Sequence, residues 1–328
     1  SVLGDGTREL KDVMLGEVWL CSGQSNMEWT PMHGIDNSEE EVAAANYPNI
    51  RFFHIPKRGA ATPQNNCEAS WAPCTPDRMK STSAIAYFFG RDLQKDLNVP
   101  VGLIVSAWGG TPAEVWVPEE QVMNNPRIRD VMPDKTYPWW PVEPGVLYNQ
   151  MISPVVPYAL AGAIWYQGES NRDHPDSYGI LLKTMVESWR KSFKKDFPFY
   201  LVQIAPHTYN SGDNGAALVR EHQEWVARTV PGAGMVAVSD CVADVKNIHP
   251  TDKQSVGQRL ANMALGKIYG RLDSGYESPL FESMTIDKNK AVISFLHAGN
   301  GLMCKDKEIT GFMIAGEDGV FVPAKVRI

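Results

Sequence analysis

The chain alternates between short, almost fully apolar runs and longer amphipathic stretches. Runs of strand length fall at 16–21, 50–54, 101–107, 161–166, 198–204 and 234–239, and apolar residues recur at helical spacing over 81–97, 177–194, 214–229 and 251–269. A strand that is apolar at nearly every position is covered on both faces, and strands that alternate with helices build a parallel sheet with helices on its two sides. The pattern therefore predicts a three-layer α/β/α domain. Two regions depart from it. Between 118 and 158, Pro118, Pro126, Pro133, Pro138 and Pro141 interrupt any regular element, with Trp139-Trp140 in the middle. Such an insertion can present aromatic faces to a cleft, although tryptophans more often fill cores. From about 280 the residues alternate, as in Ala291–Phe295 and Gly319–Val322, which predicts a small β appendage. Residues 1–13, containing the hairpin-like Leu3–Val13, read as the remnant of an N-terminal β region, 14–275 as the α/β domain and 276–328 as a β-rich segment.

Three of the predicted strands end in the same way. The first runs into Gly23-Gln24-Ser25-Asn26-Met27, the third into Trp108-Gly109-Gly110-Thr111, and the fourth through Trp165-Tyr166 into Gln167-Gly168-Glu169-Ser170-Asn171. Parallel α/β sheets carry their chemistry just beyond the carboxyl ends of strands, so a serine presented there is a candidate nucleophile. Late in the chain, Ile248-His249-Pro250 precedes the last helical pattern. Serine is a poor nucleophile at neutral pH and needs a base within hydrogen-bond reach, which His249 supplies in this reading. Other histidines carry less: His54 lies in an apolar strand, His222 in a polar helix, and His207 after Ala205-Pro206 is a possible cleft residue.

These four blocks resemble the SGNH (GDSL-like) hydrolases in their Gln-Ser-Asn variant. Together with Lys253 and Gly257 they are similar to the sialate O-acetylesterase family of carbohydrate esterases, over positions 16 to about 261. The resemblance implies a three-layer SGNH-hydrolase fold and a serine esterase that removes O-acetyl groups from a carbohydrate, acetylated sialic acid first, acetyl xylan or another cell-wall sugar as the alternative. It implies Ser25 as nucleophile, His249 as base, and an oxyanion hole built from the N–H groups of Ser25 and Gly109 and the side-chain amide of Gln167, with Asn171 as an alternative to Gln167. Glu169, Asn171 and Arg172 stand beside the site as substrate-binding candidates, and Glu169 also suits a buried tie between the third block and the first. It further implies export, since relatives are often exported and carry extra β structure ahead of the hydrolase domain. One position departs from the pattern. Many such hydrolases place an Asp two or three residues before the histidine, where this chain has Asn247 and Lys246. Asp244, Asp240, Asn247 or a backbone carbonyl remain open as the partner of His249, Asp244 being the carboxylate of a full triad. A non-catalytic carbohydrate-binding module is the reading from another class, and the missing acid is its support.

Composition narrows the picture. With 328 residues, 43% hydrophobic and 21% charged, the chain can bury a large core. No apolar run is long enough to span a membrane and no basic cluster suits nucleic acid. The net charge of −7 disfavours acidic ligands, so an anionic sugar needs a local cation, and Arg172 is the nearest to the third block. Cys21, Cys67, Cys74, Cys241 and Cys304 form no metal pattern; Cys67 and Cys74 are near enough in sequence to bridge in an oxidising compartment. His222-Gln-Glu224 lacks a Cys-x-x-Cys partner, no phosphate-cradling loop follows Gly109-Gly110, and acyl transfer of this kind needs no cofactor.

Overall fold

The computed structural model describes residues 9–132, 137–209, 214–304 and 308–328. The chain divides into two units, Ser1–Arg271 and Leu272–Ile328. In the larger unit seven strands form one sheet: β1 (Glu17–Gly23), β2 (Tyr47–His54), β3 (Trp71–Cys74), β4 (Val101–Ala107), β5 (Gly162–Tyr166), β6 (Phe199–Val202) and β7 (Ala233–Val236), in the order β3-β2-β4-β1-β5-β6-β7. All neighbours run parallel except β3, which pairs antiparallel with β2 at the edge. That strand is four residues long and contains Pro73, too little for a periodicity to announce it.

Helices cover both faces. α1 (Ala84–Leu97) and α4 (Lys253–Lys267) pack together, as do α2 (Pro175–Phe193) and α3 (Gly215–Thr229). Aromatic residues join the layers. Trp19 of β1 meets Phe89 of α1 edge-on at 4.9 Å, while Trp165 of β5 meets Trp189 of α2 at 5.8 Å. All four are fully buried, and burying such a side chain contributes about 1.5–3 kcal/mol each. Ser83 caps α1 by accepting from the Ala86 N–H at 3.1 Å and donates its hydroxyl to the Met27 carbonyl at 2.6 Å. The helix is thereby tied to the turn that follows β1.

The smaller unit contains the antiparallel pair β8 (Leu280–Asp287) and β9 (Lys290–Leu296) and the short pair β10 (Met313–Ile314) and β11 (Val322–Pro323), the small β elements that the alternation predicts. Residues 1–8 of the expected N-terminal β remnant lie outside the described residues, and 9–13 form no strand. The bridge expected between Cys67 and Cys74 is absent, and all five cysteines are free thiols. Cys74 lies in β3 with its Sγ directed to the Ala45 carbonyl at 3.8 Å, away from any bridge. Among the described residues no helix is long and apolar enough to cross a membrane.

Candidate active site

Three chemistry-bearing segments, far apart in sequence, leave the sheet side by side because β1 lies between β4 and β5. Gly23 at the end of β1 is in register with Ala107 of β4 and with Tyr166 of β5. At Gly23 φ is +141°, and a Cβ there would fall 2.1 Å from the Tyr166 oxygen, so only glycine lets the chain turn at this point. The ladder continues past the strands. Gln24 N–H donates to the Tyr166 carbonyl at 2.9 Å and Trp108 N–H to the Gly23 carbonyl at 3.0 Å. The Gln24 side-chain oxygen accepts from the N–H groups of Gly168 and Ser170, each at 3.3 Å. Ser25 then opens a helical turn, Ser25–Glu28, with buried Asn26 and Met27 as its anchors.

His249 arrives from the loop between β7 and α4, and its Nε2 lies 2.9 Å from Ser25 Oγ. Trp29 stacks on the imidazole, with centroids 4.0 Å apart and planes 19° from parallel. Beneath the pair is a buried polar chain. Lys253 Nζ donates to Asn26 Oδ1 at 2.6 Å, and Asn26 Nδ2 donates to Glu169 Oε1 at 2.7 Å and to the Ile248 carbonyl at 3.0 Å. The serine turn, the third block and the histidine loop are thus joined through one asparagine. Lys253 is 1% exposed, and burial pulls its ammonium down to about 7 against the opposing charges of Glu169 and Asp252. Glu169 is raised by burial, and its Oε2 is buried with no hydrogen-bond partner among the described residues. Burial first, then the charge of Lys253 and the neighbouring His33 and His207, holds the His249 imidazole down to about 4, so the ring is neutral at neutral pH.

Asp244 does not reach that ring. Its Oδ1 accepts the Lys246 N–H at 2.9 Å within an exposed loop. Asn247 likewise serves the backbone, accepting the His249 N–H at 3.0 Å, and Asp240 forms a two-pronged pair with Arg259 at 2.7 and 2.6 Å. Short polar side chains two residues before an N–H close local turns more readily than they reach a ring farther along the loop. Among the described residues no carboxylate is hydrogen-bonded to His249, and the side chains that perturb it are Lys253, His33 and His207, with no carboxylate among them.

Gln167 also differs from expectation. It is fully buried, its amide donates to the Thr111 carbonyl at 3.3 Å and to Asn171 Oδ1 at 2.7 Å, and its Oε1 accepts from the Tyr178 hydroxyl at 3.1 Å. One amide hydrogen holds the third block to the second and the other is spent within the third block, which leaves none for an oxyanion. Asn171 does the same work, accepting from Ala113 N–H and donating to Glu114 Oε2, both at 2.9 Å. Gly109 stays beside the serine: a Cβ on it would lie 3.1 Å from Ser25 Cβ. Arg172 places its guanidinium 4.3 Å over the Tyr209 ring and pairs with Asp173 at 3.3 Å, so its charge already has local company. The sequence reading missed Trp29, Asn26 and Glu28 as site residues and gave Lys253 no task. The available signal is spacing, since Glu28 and Trp29 follow Ser25 by three and four residues and Lys253 follows His249 by four.

Comparison with known proteins places the chain in a family. The family described as carbohydrate esterase, sialic acid-specific acetylesterase matches residues 15–266. Sialate O-acetylesterases from Pongo abelii and Homo sapiens are 33% and 32% identical, each over 89% of this chain and 61% of the relative. The chain thus spans about three fifths of the length of these curated relatives. A crystal structure of a carbohydrate acetylesterase from Xanthomonas citri superposes with a TM-score of 0.81 at 33% identity, covering 95% of this chain and 70% of that one. With the blocks of residues 16–261 inside the matched span, and the sheet that aligns them shared with that neighbour, the chain belongs to the sialic acid-specific acetylesterase family of carbohydrate esterases.

Proposed function

We propose that this protein is a serine esterase that removes O-acetyl groups from a carbohydrate through an acetyl-serine intermediate, working with a Ser25–His249 dyad. The observation that carries the reading is the 2.9 Å contact between Ser25 Oγ and His249 Nε2 at the carboxyl ends of the central strands. Ser25 Oγ attacks the acetyl carbonyl as His249 takes the hydroxyl proton, and the tetrahedral oxyanion is held by the N–H groups of Ser25 and Gly109. Collapse expels the sugar oxygen, which leaves with the proton from His249. Water, deprotonated by the same imidazole, attacks the acetyl-serine, and a second collapse releases acetate and restores the Ser25 hydroxyl. In place of an acid, the stacked Trp29 ring fixes the plane of the imidazole, and Asn26, through the Ile248 carbonyl, fixes the loop that carries it.

The sugar part of the reading is supported by the proline-broken insertion. Trp140 packs so closely over Gly110 that a Cβ there would come within 2.6 Å of its ring, and Trp139, 60% exposed, and Tyr137 gather beside it at 5.3 and 4.9 Å. Aromatic faces next to the second block suit a pyranose ring, which stacks its C–H face on them. The names of the relatives favour acetylated sialic acid over acetyl xylan, and an exported location is part of the same reading, resting on the family resemblance. Treatment with an organophosphate, followed by peptide mass spectrometry, is expected to place one adduct on Ser25, and a panel of acetylated sugars then ranks the substrates. Absence of both adduct and acetate release would leave the carbohydrate-binding module as the better reading.

A further inference from the structure

The Gly109 N–H, which the proposed reaction needs for the carbonyl oxygen, is already engaged. It donates to Glu28 Oε2 at 2.6 Å, and the other oxygen of that carboxylate is ion-paired with Lys57. Glu28 closes the turn that Ser25 opens, three residues on, so the two side chains share one side of that turn. A Cβ built on Gly109 would lie 3.1 Å from Ser25 Cβ and 3.3 Å from Glu28 Oε2, which puts nucleophile, donor and carboxylate in mutual contact. A carboxylate oxygen on a backbone N–H is a charge-assisted hydrogen bond of the same kind that an ester oxyanion would make there.

On the reading that Ser25 and Gly109 carry out acyl transfer, we propose that Glu28 is a built-in competitor for the oxyanion donor, tethered by Lys57, and that a substrate must displace its carboxylate before Ser25 can react. Glu28 thereby sets what the site admits. Free carboxylates, the product acetate among them, meet an N–H that is taken and a negative charge beside it. A neutral ester pays the same displacement but escapes the charge repulsion, so Glu28 favours ester over acid at the nucleophile. Its half-exposed position and its place at the end of a short turn leave it free to swing without disturbing the buried Asn26 and Met27.

The test titrates sodium acetate into the wild-type protein, Glu28→Ala and Glu28→Gln, following the backbone amide resonance of Gly109, and measures acetate inhibition of hydrolysis of a small chromogenic acetate ester. Loss of a charged hydrogen-bond competitor is expected to tighten acetate binding at the Gly109 amide by about tenfold in Glu28→Ala, with a smaller gain in Glu28→Gln. The kcat/KM for the ester is expected to rise with it. Unchanged acetate affinity in both variants overturns the inference, as does a fall in kcat without tighter acetate binding, which would make Glu28 a residue that aims the donor. The amide titration does not depend on turnover, so Ser25→Ala run alongside separates the two readings: retained hydrolysis in Ser25→Ala defeats acyl transfer by Ser25, while the acetate result still judges Glu28.

Discussion

Ser25 and His249 meet at 2.9 Å, yet the two sides of that contact are built by different means. On the serine side the backbone does the positioning. β1 is locked between β4 and β5, and the hydrogen bonds of Gln24 and Trp108 carry the ladder one residue beyond the strands. On the histidine side the loop from Val242 to Ile248 is largely exposed, and its polar side chains, Asp244 and Asn247, cap its own N–H groups. The ring is placed by side chains from elsewhere: Trp29 stacks on it, and Asn26 holds the carbonyl before it. A sheet end tolerates change poorly because many cooperative bonds define it, whereas a loop held by a few side-chain contacts can lose its alignment by one substitution.

The comparison is broken most severely at the dyad itself. Ser25→Ala and His249→Ala are each expected to lower ester hydrolysis by about 10⁴-fold or more, and the double variant by little beyond either, if the proposed dyad acts as one unit. Additive losses in steady-state kinetics would show that they act separately. Trp29→Ala probes the histidine side alone. It is expected to cost about ten- to a hundredfold in kcat with KM nearly unchanged, since a misaligned base is no longer near attack geometry, and retention of wild-type kcat would remove Trp29 from the positioning of the ring.

A smaller effect separates charge from alignment. On the proposed mechanism His249 accepts the serine proton only when neutral, so activity is expected to rise with pH through about 4, where burial and the charge of Lys253 hold its imidazole, and to be lost below that value. Lys253 is protonated throughout that range, because its own value is about 7. Its charge disfavours a second cation beside it, so Lys253→Met is expected to move the acid limb of kcat/KM upward. A limb at the ordinary imidazole value of about 6.5 in the wild-type protein would contradict the desolvated ring. The smallest expected change is that of Asp244→Asn, less than about tenfold in kcat, since only a screened surface charge is lost. A loss near the ten-thousandfold typical of a triad acid, about 10⁴, would return Asp244 to the site.

Much of this was legible beforehand, because strand ends announce themselves. An apolar run that stops at Gly23-Gln24-Ser25 or at Trp108-Gly109 marks both the sheet and the residue presented at its edge, and Pro250 before a helical pattern marks the turn that delivers His249. These are local facts, carried by residues within a few positions of one another. The polar side chains were harder to read. Gln167 and Asn171 stand in the right block, but whether an amide faces a cleft or a buried partner depends on Thr111, Glu114 and Tyr178, which approach from other segments. Asp244 lies five residues before His249, and only the path of the loop decides that it closes a turn in place of reaching the ring. The same holds for Glu28 on the Gly109 N–H and for Lys253 on the Asn26 side chain, contacts made across 81 and 227 positions. What the sequence by itself determined is therefore the alternating α/β architecture and the blocks that present Ser25 at a strand end and His249 ahead of the last helix, since hydrophobic period and strand-end composition are short-range properties. What only the tertiary structure decided is the pairing of the polar groups, because a hydrogen-bond donor buried among several acceptors is committed by whichever of them the folded chain brings within about 3 Å.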